Sequence, residues 1–213
     1  KYAQINTRLA GPILYDLPEY PRKKIRGAGR VGVLAIASAD KAMQMAGLVS
    51  EKELLKSGRV GVAYGSSMGS VRPLLDFVSM QNPPYDCSKV SLTTYIQSMP
   101  QTTAVNVSLF FGLTGRLITT NTACTSGSLS IGYAYEAIKY GMQDVMIAGG
   151  AEELAATETA VFDSLFATSV KNSTPELTPA PYDRDRDGLV IGEGAGTLVL
   201  EEYEHAKARG AHI

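Results

Sequence analysis

Cys87 and Cys124 are the only two thiols in the chain, and they stand in different settings. Cys124 lies in Thr119-Thr-Asn-Thr-Ala-Cys-Thr-Ser-Gly-Ser128, between a run that reads as a strand and a run that reads as a helix. A thiol at the start of a helix faces backbone N–H groups without intrahelical partners and the positive end of the helix dipole, both of which favour anionic sulfur. Its neighbours Ala123, Ser126 and Gly127 are small enough to admit a substrate and to leave backbone N–H groups open to an oxyanion. A thiolate is a strong nucleophile and a good leaving group, so the pattern suits transient storage of an acyl group as a thioester. The alternative is a buried, inert thiol, a common fate of free cysteine. Cys87, just after the Pro83-Pro84 loop, takes that second reading.

Two other stretches invite chemistry that their spacing does not support. Asp183-Arg-Asp-Arg-Asp-Gly188 has the acids of a calcium loop at the first, third and fifth places, but the twelfth is Gly194 where a bidentate Glu is needed. A turn stitched by Arg–Asp pairs is the better expectation. Gly192-Glu-Gly-Ala-Gly196 has the glycines of a dinucleotide fingerprint, yet it leads into a strand-like run instead of a helix. Its glycines are expected to serve close packing or unusual dihedrals. Cys and His form no cluster with metal-ligand spacing, so no metal or other cofactor is expected.

The elements that must position Cys124 follow from periodicity. Val31, Leu34, Ala35, Ala42 and Met45 predict a helix over 30–46, stopped by Gly47. Ser50 and Glu53 read as a capping box for a short helix ending at Ser57. Buried strands are predicted over 59–64, 116–121, 145–148 (stopped by Gly149-Gly150) and 196–200, and helices over 71–80, 99–111, 125–140 and 201–209. Residues 1–30 read as irregular, with a basic cluster at Arg22, Lys23, Lys24, Arg26 and Arg30. Alternating strands and helices predict an α/β layered fold with a mostly parallel sheet buried on both faces.

Composition narrows the partners. The 213 residues are 45% hydrophobic with a formal net charge of −1, which suits a globular unit and argues against nucleic acid. No apolar run approaches the roughly 20 residues of a membrane span, and the first residues lack signal-peptide character, so neither a membrane nor secretion is expected. With two cysteines and no disulfide framework, a reducing cytoplasm is the default.

Asn121-Thr-Ala-Cys-Thr-Ser126 resembles the nucleophile motif of the chain-elongating β-ketoacyl-acyl carrier protein synthases, members of the thiolase superfamily. Three further stretches resemble that family in order and spacing: the run from Gly141 through Gly149-Gly-Ala-Glu-Glu153, Tyr182-Asp-Arg-Asp-Arg-Asp-Gly188 with Val190-Ile-Gly-Glu-Gly-Ala-Gly196, and the strand and helix from Leu198 to Ala211. The resemblance implies a thiolase-like αβαβα layered fold, of which residues 1–213 would form one N-terminal ketosynthase domain, incomplete at both ends. It implies acyl transfer from acyl carrier protein to Cys124, then decarboxylative condensation with malonyl-carrier protein, in a cytoplasmic homodimer that uses no cofactor.

Residue by residue, the resemblance makes Cys124 the acylated nucleophile, with its own N–H as one oxyanion donor. Phe162 matches the aromatic beside the nucleophile, and Met68 and Met99 match positions that line the acyl pocket, the latter from across a dimer. Arg22, Lys23 and Arg26 match a basic patch that receives the acidic carrier protein. Family members are about twice this length, and their decarboxylating histidines and lysine would fall beyond Ile213; His205 and His212 do not match them. Leu189 and Thr168 depart from the family's usual Phe and Leu. A non-catalytic partner subunit and a thiolase acting on coenzyme A thioesters are the alternatives. The retained Cys124 argues against the first, and the Arg-Asp-Gly and Glu-Gly-Ala-Gly segments argue against the second.

Overall fold

The computed structural model describes residues 4–213. In chain order the elements are α1 (Arg22–Ile25), α2 (Gly29–Met45), α3 (Lys52–Leu55), β1 (Val60–Gly65), α4 (Val71–Ser79), α5 (Leu92–Gln97), α6 (Thr102–Phe111), β2 (Leu117–Thr120), α7 (Ser126–Lys139), β3 (Val145–Glu152), α8 (Ala156–Ser164), β4 (Gly194–Glu201) and α9 (Tyr203–Ala208). They divide into two compact units. The larger joins Asp16–Glu152 with Gly194–Ile213; the smaller joins Lys1–Tyr15 with Glu153–Glu193.

The larger unit is built on one sheet of order β2-β1-β3-β4, with the first three strands parallel and β4 antiparallel to β3. Helices α2 and α6 pack on one face and α7 on the other. All six residues of β1 are buried, as a strand covered on both faces requires. Ala63 of β1 and Met146 and Ala148 of β3 meet Ala134 and Ala137 of α7. On the opposite face Tyr64 points toward α2, where its hydroxyl lies 2.8 Å from Thr197 Oγ1, which in turn donates to Ser38 Oγ at 2.8 Å. Burial pushes the Tyr64 phenol up to about 12.

Several expectations are corrected. Helix α2 buries Val31, Leu34, Ala35, Ala39 and Met43, whereas Met45 is exposed. Strand β3 runs through Gly149 and Gly150 instead of stopping there. A Cβ on Gly149 would lie 2.1 Å from the Gly196 carbonyl oxygen and 2.8 Å from the Tyr64 ring, so the glycine marks close strand packing and not a turn. The Ser50 capping box does not form; α3 follows Glu51 with no side-chain cap. A capping box closes instead between Ser91 and Thr94, at the head of α5, which the periodicity did not reveal. Helix α6 begins after Pro100, not at residue 99. The stretch 1–30, expected to be irregular, contains α1; its residues 1–3 lie outside the described residues.

The smaller unit is held by a buried carboxylate. Asp163 of α8 accepts hydrogen bonds from the backbone N–H groups of Asn6 (2.8 Å) and Thr7 (2.9 Å), from Asn6 Nδ2 (3.0 Å) and from Thr168 Oγ1 (2.8 Å). The Asn6 and Thr7 N–H groups, against the opposing push of burial, hold its carboxyl below the usual range. A depressed carboxylate stabilises the fold above its unfolded value of about 4, and that contribution is lost as pH falls through the lower folded value. Asp163→Asn is therefore expected to lower Tm at neutral pH, with the difference from wild type shrinking as pH falls below about 4; melting curves across pH check this.

Candidate active site

Between β2 and α7 the chain makes a short loop, 121–125, fastened from within. Ser126 Oγ accepts from the Thr122 N–H (2.9 Å) and donates to the Ala123 carbonyl (2.7 Å). The Thr125 and Ser126 N–H groups return to the carbonyls of Thr122 (3.2 Å) and Ala123 (3.0 Å), and Thr125 Oγ1 donates to Thr122 O (2.7 Å). Ala123 takes φ +52°, an uncommon conformation for a residue with a side chain. That turn leaves Cys124 exposed, two residues ahead of the first residue of α7.

The loop rests on the carboxyl ends of β1 and β3. A Cβ on Gly65 would fall 2.5 Å from Thr120 Oγ1 and 2.6 Å from Ser126 Cβ, and one on Gly150 would fall 3.1 Å from Gly127 Cα. Thr120 Oγ1 donates to Ser126 O at 2.8 Å, and the fully buried Ser130 hydroxyl lies 2.8 Å from Gly149 O. The carboxyl edge of parallel strands is where open α/β sheets bind ligands, and Cys124 stands on it. Helix α7 has no side-chain cap, so its first-turn N–H groups are not engaged by capping.

Met68 follows β1 in the loop 66–70 and is half-buried. Its neighbour Gly69, at φ +79°, sits against the Met99 backbone, where a Cβ would come 2.7 Å from the Met99 carbonyl carbon. The Ser70 N–H donates to Gln97 O at 2.9 Å. Met68 and Met99 are thus carried on abutting loops, and Gly65, where the first of these begins, lies against Thr120 and Ser126 on either side of the Cys124 loop. Met99 is also half-buried, and its sulfur lies 2.7 Å from Gln101 Nε2. Sequence reasoning missed Glu152, the last residue of β3, whose carboxylate accepts from Ser66 and Ser67. The signal was a strand ending in Gly-Gly-Ala-Glu beside a Ser-Ser loop.

Other candidates are placed as follows. Arg22 and Lys23 on α1 and Arg26 just after it are exposed and make no ion pair among the described residues; Lys24 lies over the Phe110 ring at 4.7 Å. Phe162 is half-buried on α8, in the smaller unit. There too, Thr168 and Leu189 form one bridge, the Leu189 carbonyl accepting from the Ser169 N–H at 2.8 Å. The 183–188 turn is stitched less by Arg–Asp pairs than expected. Its anchors are Lys171 Nζ on Asp185 O (2.8 Å) and the Val170 N–H on Asp187 Oδ2 (2.9 Å), while the Arg184–Asp185 pair is exposed. Of the Gly192–Gly196 glycines, Gly192 packs against Gly11, but a Cβ on Gly194 or Gly196 would meet open space. Cys87, expected to be buried, is exposed. His205 Nδ1, on α9, lies 2.6 Å from Glu201 at the end of β4.

The family model described as "Beta-ketoacyl synthase, N-terminal domain" matches residues 18–206. The chain therefore belongs to the β-ketoacyl synthase family. It is 39% identical over 214 residues to 3-oxoacyl-[acyl-carrier-protein] synthase 2 of Vibrio cholerae, covering 98% of this chain and 50% of that protein. To the putative polyketide beta-ketoacyl synthase 1 of Streptomyces cyaneus it is 35% identical, over 97% of this chain and 54% of that one. A crystal structure of a beta-ketoacyl synthase from Burkholderia phymatum superposes with a TM-score of 0.94 at 53% identity, over 100% of this chain and 52% of its own. A type II polyketide ketosynthase solved with its acyl-carrier protein gives a TM-score of 0.78 at 28% identity, over 98% and 50%. The fold is thiolase-like, and the chain spans about half the length of the curated relatives it matches.

The Ser126 hydroxyl is buried and serves two loop groups, so Ser126→Ala is expected to cost about 1–3 kcal/mol of stability; urea unfolding of the two proteins measures it.

Proposed function

We propose that the protein carrying this chain is a β-ketoacyl-acyl carrier protein synthase of fatty acid or polyketide synthesis, with Cys124 as its acyl-accepting nucleophile. The observation that carries the reading is the placement of an exposed cysteine at the carboxyl edge of the parallel strands, just ahead of an uncapped helix. The sulfur attacks the carbonyl carbon of an acyl-carrier protein thioester, and the negative charge that builds on oxygen is received by backbone N–H groups, that of Cys124 first. Collapse expels the carrier's thiolate and leaves the acyl group on Cys124. A malonyl-carrier protein then loses carbon dioxide, and the resulting carbanion attacks the Cys124 thioester. A carbon–carbon bond forms, the carbon–sulfur bond breaks, and the thiolate returns.

Met68, Met99 and Phe162 line the acyl pocket in this reading, supported for the first two by their abutting loops beside the Cys124 element. Arg22, Lys23 and Arg26 receive the acidic carrier protein, which their exposed positive charge favours. Residues 1–213 are taken as one N-terminal ketosynthase domain, and the protein as a cytoplasmic homodimer that needs no cofactor. The similar ketosynthase solved with its acyl-carrier protein supports the choice of partner.

Incubation of the full-length protein with acyl-carrier protein is expected to add one acyl mass, lost in Cys124→Ala. Acyl transfer that survives this substitution overturns the reading. Replacing Arg22, Lys23 and Arg26 together by Glu is expected to raise KM for acyl-carrier protein about tenfold at low salt and less at high salt, read from initial rates at two ionic strengths.

A further inference from the structure

We propose that Glu152 is a positioning residue for Met68, and that through Met68 it sets which acyl chain lengths the Cys124 site accepts; this rests on the synthase reading above. Strands β1 and β3 stop pairing at Gly65 and Gly150, and β3 continues two residues further, so that Glu152 stands beside the loop leaving β1. Both its oxygens are engaged on that loop. Oε1 accepts from Ser66 Oγ at 3.1 Å, and Oε2 accepts from the Ser67 N–H at 2.7 Å and from Ser67 Oγ. Ser66 Oγ in turn accepts from the Gly69 N–H at 3.1 Å. Hydrogen bonds to an ionised carboxylate are about twice as strong as neutral ones, so the clamp is firm.

The sheet does not need this carboxylate, because β3 pairs with β4 at Glu152 through backbone alone. What the clamp fixes is the short segment ahead of Met68, while Gly69 against the Met99 backbone fixes the segment behind it. Met68 is held from both sides, a few residues from Gly65, which touches Ser126 at the head of α7. An acyl chain on Cys124 that must displace the Met68 side chain works against a loop tied to β3 by these hydrogen bonds. Ser67 is exposed and would turn to water if the carboxylate were removed.

The test uses the full-length protein and compares kcat/KM for Cys124 acylation from hexanoyl- and palmitoyl-carrier protein. Glu152→Ala is expected to change that ratio about fivefold or more, in the direction of the longer chain, with Glu152→Gln restoring most of it and Ser67→Ala giving a smaller change in the same direction. In a Met68→Ala background, Glu152→Ala is expected to add no further change, because two residues acting through one contact are not additive. An unchanged ratio with a lowered Tm makes Glu152 merely structural and overturns the proposal. An equal shift with and without Met68 overturns it too, since Glu152 then acts by another route. Absence of acylation on Cys124 in the parent protein overturns the synthase reading itself, a result distinct from normal acylation with an unmoved ratio.

Discussion

Where the carboxyl ends of β1 and β3 meet the first turn of α7, side chains do not fit. Gly65 lies against Thr120 and Ser126, and Gly150 lies against Gly127, at separations that a single added carbon would close to 2.5–3.1 Å. Because the helix sits this low on the sheet, the hydroxyls of Thr120, Ser126 and Ser130 reach carbonyls of the loop and of β3. These bonds hold the loop so that Cys124 is delivered to the strand edge. Raising the helix by the width of a methyl group would separate Thr120 from Ser126 and Ser130 from Gly149 together, and each buried group left without a partner costs about 1–3 kcal/mol.

The opposite end of the sheet is held by charge. Arg59, just ahead of β1, grips Asp144 just ahead of β3, with Nε donating at 2.9 Å, and its guanidinium holds the Asp144 carboxyl below the usual range. Glu201, at the end of β4, is pushed up by burial, but hydrogen bonds from Arg209 and His205 more than offset this and leave it lowered. Arg209 also donates to the Ala46 carbonyl at the end of α2 at 2.9 Å. Ion pairs thus pin one rim of the sheet, and small residues shape the other.

Legibility followed how local each cause was. Strand β1, helix α7 and the Cys124 junction were readable because apolar runs, a strand-to-helix change and small residues coincide within a dozen positions. The Gly149-Gly150 pair misled because a glycine demanded by a partner strand looks in sequence like a glycine demanded by a turn, and the partner, Gly196, is remote in the chain. Helices α5 and α8 went unseen: the first is announced only by a Ser91–Thr94 box without Glu or Gln, and the second buries chiefly one polar side chain, Asp163. The Glu152 clamp was invisible for the same reason as Gly149. Its serines lie 85 and 86 positions away, and no pattern along the chain pairs them.

The Cys124 loop is tied together by Ser126, Thr125 and backbone groups, while the Cys124 side chain has no fastening duty among the described residues. Shape and chemistry are therefore separable at this position. A lineage could exchange the sulfur for another small side chain and keep every hydrogen bond of the loop, losing, on the synthase reading, only turnover. Such a copy would be free to take up work as a shape-giving companion to an active sister, so gene duplication has a short route from catalyst to scaffold.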